Sequence, residues 1–195
     1  AAGAHASDYA RSKYLGDQAG WQLYESRGLP LTVVHLAAVI GAGDGKATME
    51  VRRAVEGKLP ALVGAETTYT YVYVRDAADA ITRALLKEDS IGQSYLIGNQ
   101  RATTRDYFNT IGKLADVAVP SLNIPEAWLF PVAKGMEMVS RLTGKRPVLP
   151  LDVLKTTAAG SLLFDASRSV DELGMTYTPL ETALMESIDE IRLAP

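Results

Sequence analysis

Residues 31–38 (LTVVHLAA) constrain this chain more than any other stretch, because they form an unbroken apolar run rich in β-branched side chains. A strand with one face in water alternates apolar and polar residues. A run without alternation is covered on both faces, and such strands belong to parallel sheets flanked by helices. A helical pattern precedes it over residues 8–27, capped by Ser7 or Asp8 and stopped by Gly28 and Pro30. Leu15, Trp21 and Tyr24 give that helix bulk to bury. Helix, short turn and buried strand make half of an α/β unit.

The 195 residues, 47% hydrophobic and 22% charged, suffice for one core, or for one domain with a small appendage. A net charge of −3 without a basic block does not favour a nucleic-acid partner. No apolar run approaches the roughly 18 residues of a membrane span, and no signal-peptide pattern opens the chain. Cysteine is absent, which excludes disulfides and thiolate zinc sites and suits a reducing, cytoplasmic compartment. Only His5 and His35 are present, too few for a histidine-rich metal site, so no metal is expected. His35 lies within the buried run and reads as a core histidine, and His5 as a terminal residue.

The run ends in Gly41, Gly43 and Gly45, a loop where backbone approaches a ligand closely or simply turns. A helix is expected over 47–56, closed by Gly57, and a brief strand over 59–63. Arg52 and Arg53 on that helix suit either a substrate anion or, more simply, a solvated face. Residues 69–74 (YTYVYV) read as a strand, and 75–87 as a helix buried through Ala77, Ala78, Ile81, Leu85 and Leu86. A strand over 94–97 ends at Gly98. Thr103 with Asp106 caps a helix to about residue 115. Pro125 suits the first turn of a helix to about residue 142. Trp128, Val132, Met136, Val139 and Leu142 recur on it at helical spacing, as core or as the lining of an apolar substrate pocket. A basic loop over 144–150, a helix over 151–158, an extended piece over 162–164 and a helix over 167–173 follow. Thr178, Pro179 and Glu181 open the last helix.

Tyr9 and Lys13 stand four residues apart near the start of the first helix, so they share a face. An ammonium beside a phenol favours the phenolate, which brings the tyrosine towards a working general acid/base. The spacing by itself is equally that of a packed tyrosine beside a solvated lysine.

Several stretches together resemble the extended short-chain dehydrogenase/reductase family, in its NAD-dependent epimerase/dehydratase, dihydroflavonol-reductase-like group. Tyr9-Ala10-Arg11-Ser12-Lys13 matches its Tyr-x-x-x-Lys. The segment from His35 to Asp44 is similar to its Arg-Pro-x-x-Val-Tyr-Gly-Pro-x-Asp, and Val72–Ala78 to its Val-His-Val-Asp-Asp-Val-Ala. Phe164-Asp165 through Leu173-Gly174, then Thr178-Pro179-Leu180-Glu181, resembles its C-terminal pattern. The chain departs at Leu36 and Ala42, where the family carries proline. It departs again at Tyr73 and Arg75, where the family carries histidine and aspartate.

The resemblance implies an α/β fold: the C-terminal part of a Rossmann-type parallel sheet over residues 1–100, then a mostly helical substrate-binding lobe over 101–195, with some interleaving. It implies NAD(P)-dependent hydride transfer on a ketone, an alcohol or a nucleotide sugar. Tyr9 would be the general acid/base. Lys13 would hold the nicotinamide ribose and lower the tyrosine pKa. Leu36, Ala37 and Val39 would lie along the nicotinamide of NAD or NADP, mainly through backbone groups. It also implies a homodimer through the first helix, with Tyr14 and Trp21 as candidates. The family's Gly-x-x-Gly-x-x-Gly turn, which seats the pyrophosphate, does not occur in these residues, and the late glycine loop is no substitute. The expectation is therefore the C-terminal portion of such an enzyme, its first half supplied by preceding sequence or by a separate polypeptide. The alternative is a non-catalytic α/β module that binds a substrate or partner but no dinucleotide. A sheet without its first strands is also expected to show an unpaired edge.

Overall fold

A computed structural model describes residues 7–43, 47–144, 154–155 and 158–193. The elements run α1 (Asp8–Arg27), β1 (Val33–Leu36), β2 (Ala38–Ile40), α2 (Ala47–Val55), β3 (Leu62–Val63), β4 (Thr68–Tyr73), α3 (Val74–Leu86), β5 (Ser94–Ile97), β6 (Gln100–Thr103), α4 (Thr104–Ala115), β7 (Asn123–Ile124), α5 (Glu126–Thr143), α6 (Ser167–Leu173) and α7 (Leu180–Leu193). A single 3₁₀ turn (Glu88–Ser90) follows α3.

The first helix has the expected bounds. Ser7 Oγ accepts from Ala10 N at 3.1 Å, and the Gly28 N–H returns to the Tyr24 carbonyl at 3.0 Å. A Cβ on Gly20 would lie 3.4 Å from Leu31 Cδ2, and the Tyr24 hydroxyl sits against Gly92. The chain has thus folded back, with α1 lying along the strand that follows it. Its burial departs from expectation. Among the described residues α1 meets the sheet only along this flank, so Leu15 is exposed and Trp21 and Tyr24 only half-buried.

The apolar run is not one strand but two. β1 pairs parallel with β5, Leu36 opposite Ile97, while β2 pairs parallel with β4, Ala38 opposite Tyr71. Ala37 is the fork. Its N–H still donates to Ile97 O at 2.9 Å, and the next residue belongs to the other ladder. Gly98, with φ +125°, fills the crotch of this fork. A Cβ there would lie 2.7 Å from Ala37 Cβ and 2.9 Å from Tyr71 O, so no side chain fits. β4 also pairs antiparallel with β6, and β3 pairs parallel with β7. β6 was not foreseen. Gln100–Thr103 carries no β-branched run, and its pairing with Thr68–Tyr71 supplies what local propensity does not. Among the described residues β1 has a strand partner on one side only, the unpaired edge anticipated above.

Two apolar clusters form the interior. One gathers Ala37, Val72, Ala77, Ala80, Tyr95 and Ile97 with Leu173 and Met175. The other gathers Ile40, Leu62, Tyr71, Ile111, Leu184 and Ile188. The expected stripe on α3 is corrected here. Ala77, Ala80 and Ala84 are buried, while Ile81, Leu85 and Leu86 are exposed. The small residues let the helix approach the sheet closely and turn the bulky ones outward. A similar correction applies to α5. Among its described side chains Ala133 is buried, about a third of a turn round from Trp128, Val132 and Val139, which are exposed. Pro125 stands at the N-cap of this helix rather than within its first turn. The loop over 144–150 and the helix over 151–158 fall largely outside the described residues, as do His5, Gly45 and the side chains of Met136 and Leu142. Among the described residues no helix is long and apolar enough to cross a membrane.

Candidate active site

Tyr9 and Lys13 lie in the first two turns of α1. Tyr9 is 57% exposed, and Lys13 Nζ stands 5.5 Å from the centroid of its ring. The Ser12 hydroxyl donates to the Tyr9 carbonyl at 2.8 Å. Gly20 faces Leu31 at the start of the following strand. From there, seven helical residues at 1.5 Å carry the chain about 10 Å to Lys13. Five extended residues at 3.3 Å carry it about 16 Å, in the same sense, to Leu36. On these rises the first turns of α1 reach towards the level of the carboxyl end of β1. That end is where open α/β sheets place their ligands.

Leu36, Ala37 and Val39 occupy this end as exposed, buried and half-buried residues respectively. The Ala37 N–H is already committed to Ile97, so it is not a free donor for a ligand. His35 is half-buried within β1. Arg53 is exposed, and Arg52 lies 3.9 Å from Glu56 on the same helix, as a solvated face would have it.

The structure joins motifs that lie far apart in sequence. The Asp76 carboxylate accepts both the Thr178 N–H at 2.6 Å and the Thr178 hydroxyl at 2.9 Å. Arg83 donates to the carbonyls of Leu173 and Gly174. At two of the four positions that depart from the family pattern, the Tyr73 hydroxyl and the Arg75 guanidinium both donate to Glu186. Glu190 Oε2, one turn further on, accepts the Gly43 N–H at 2.9 Å. Sequence reasoning missed Glu186 and Glu190. Two acidic residues four apart on a terminal helix carry no local signal of a partner. An open cavity of about 520 Å³ lies beside them, lined by Tyr73, Leu114, Met185, Glu181, Glu186 and Asp189.

Burial pushes the Tyr73 phenol above its ordinary pKa, and its bond to the Glu186 carboxylate pushes it further. Burial does the same at Tyr71, whose ring stacks on Tyr107 with centroids 4.8 Å apart. Tyr95 is raised by burial and by its bond to Glu172. An unfolded phenol loses its proton near pH 10. Above that pH the folded chain holds more protons than the unfolded one, so stability falls as pH rises. The melting temperature is therefore expected to decline from about pH 10 upward, and the Tyr71→Phe variant to decline less steeply. Equal slopes for the two proteins would contradict the assignment to Tyr71.

A family model described as the NAD dependent epimerase/dehydratase family matches residues 2–98 of the chain. Residues 2–98, about half of the chain, are thus similar to this family. Both Tyr9 and Lys13, the β1–β2 fork and β5 fall inside the matched segment. A Synechocystis sp. protein named for dihydroflavonol 4-reductase is 25% identical over 187 residues, which cover 92% of this chain and 53% of that protein. The solved structure of gox2253 superposes with a TM-score of 0.76 at 26% identity, over 94% of this chain and 56% of that one. UDP-glucuronic acid 4-epimerase from Bacillus cereus, solved with UDP-glucuronic acid and NAD, superposes with a TM-score of 0.68 at 17% identity. It is covered to 52%, and 94% of this chain is used. The chain thus has the α/β, Rossmann-type fold of the epimerase/dehydratase family, and it spans about half the length of the relatives it matches.

Proposed function

We propose that the protein to which this chain belongs is an NAD(P)-dependent oxidoreductase or epimerase, acting on a small ketone or alcohol or on a nucleotide sugar. What supports this reading is that Tyr9 and Lys13 share one face of α1, inside the segment that matches the family model. The residues present fit a nicotinamide group there. The phenol is open to solvent, the ammonium is one turn away, and Leu36 and Ala37 form the strand end. A bound nicotinamide dinucleotide, NAD or NADP, supplies the hydride donor or acceptor. Tyr9 gives a proton to the substrate oxygen in reduction, or takes one from it in oxidation. Lys13, one turn along the same helix face, holds a ribose hydroxyl of the dinucleotide. Leu36, Ala37 and Val39 form the wall against which the nicotinamide ring lies. The exposed flank of α1, with Tyr14, is the face for a second subunit or for the rest of the sheet.

Residues 1–195 hold no Gly-x-x-Gly-x-x-Gly turn, and that favours a second reading, a binding module without a dinucleotide site. Titration with NADH and NADPH, followed by nicotinamide fluorescence, separates the two. The 195-residue chain alone is expected to show no saturable binding. The same chain joined to a glycine-rich dinucleotide-binding half is expected to bind one of the two and to turn over a ketone or a nucleotide sugar. If the joined protein binds neither dinucleotide, the module reading stands instead.

A further inference from the structure

The geometry points to a clasp that no catalytic role requires. We propose that Glu186 and Glu190 on α7 are positioning residues that hold the loop after β2 at the ligand end of the sheet. The substrate consequence rests on the preceding reading; the clasp itself rests on the contacts alone.

The loop begins at Gly41, with φ +137°. A Cβ on Gly41 would lie 2.6 Å from Val74 Cγ1 and 3.2 Å from the Tyr73 ring, so Tyr73 is packed directly against the loop's bare backbone. The hydroxyl of that same ring donates to Glu186. Arg75, whose guanidinium stands 5.8 Å from the Tyr73 ring centroid, donates to the other oxygen of the same carboxylate. Two residues after Gly41, the Gly43 N–H donates to Glu190. Gly41 is therefore packed on Tyr73, itself tied to Glu186, and Gly43 is held directly by Glu190.

The two carboxylates are one turn apart on a helix that is itself anchored. Leu184 and Ile188 are fully buried, and Asp76 fastens the segment leading into α7 through Thr178. The acceptors therefore do not follow the loop if it moves. Arg75 and Gly43 are exposed, so these contacts contribute little to global stability. Their consequence is local: they set the position of a backbone segment at the carboxyl edge of β2, where a substrate meets the sheet.

Amide exchange with solvent at Gly43, measured by NMR on the 195-residue chain, tests the clasp without any assay of turnover. In Glu190→Ala the Gly43 amide is expected to exchange about three- to tenfold faster, the effect of losing one ordinary hydrogen bond. In Glu190→Gln, which keeps an acceptor oxygen, exchange stays near the starting rate. The buried amides of β5 stay unchanged in both variants. Unchanged Gly43 exchange in Glu190→Ala overturns the clasp. So does an equal rise in Glu190→Gln, or a rise that extends to β5. In the protein joined to its dinucleotide-binding half, KM is expected to rise at least threefold in Glu190→Ala and to recover in Glu190→Gln. An unchanged KM overturns the positioning role. If the unmutated joined protein has no turnover, the functional reading fails, and Gly43 exchange alone decides the clasp.

Discussion

Replacing Tyr9 with phenylalanine, in this chain joined to a dinucleotide-binding half, is expected to lower turnover by about 10²–10⁴-fold, the usual contribution of a positioned general acid/base. The fold should not notice. The ring remains, and Tyr9 is more than half exposed. Its backbone hydrogen bond from Ser12 is untouched by the change. The measurement is the rate of NAD(P)H consumption at saturating substrate, with a thermal melt of the same sample. A loss of turnover with an unchanged melt places the proton transfer at Tyr9. Unchanged turnover removes Tyr9 from the chemistry and with it the reading proposed above.

The largest expected effect on stability lies at Gly98. Alanine there has to adopt φ +125°, and its Cβ meets Ala37, Val72 and the Tyr71 carbonyl, two of them within 3.0 Å. Backbone strain of about 1–3 kcal/mol and overpacking of about 1–3 kcal/mol together give a loss of roughly 2–6 kcal/mol. The Tyr71 carbonyl is backbone and cannot swing aside, so relief requires the two ladders to separate at Ala37. Gly16 is the matched control. It lies inside α1 with nothing within 4 Å of a built Cβ, so Gly16→Ala should stabilise by about 0.5–1 kcal/mol. Urea unfolding of the three proteins reads both signs. A Gly98→Ala variant as stable as the parent would mean that the fork is not packed as described.

How much of this was legible beforehand depends on the range over which each feature is decided. The first helix, its Ser7 cap and its Gly28 stop came from residues within four positions of one another, and the structure reproduces them. The Thr103–Asp106 cap and the bounds of β5 and α6 were equally local. The family order of the motifs made the parallel α/β sheet legible too, as did the sharing of one helix face by Tyr9 and Lys13.

What the sequence did not determine was everything that depends on which surface meets which. Residues 31–38 show the apolar character of a buried strand, yet only pairing with two different neighbours splits that run at Ala37. The bulky residues of α3 and α5 read as core, but a helix buries whichever side approaches its neighbour most closely. In both helices that side carries alanine. Gly98 looked like a strand terminator, and only the converging ladders make it obligatory. Glu186 and Glu190 drew no reading from the sequence, and only the return of α7 to Tyr73, Arg75 and Gly43 gives them partners. Local hydrogen bonds and propensities lie within a few residues of sequence. The partners of a carboxylate more than 100 residues away exist only after the chain has folded.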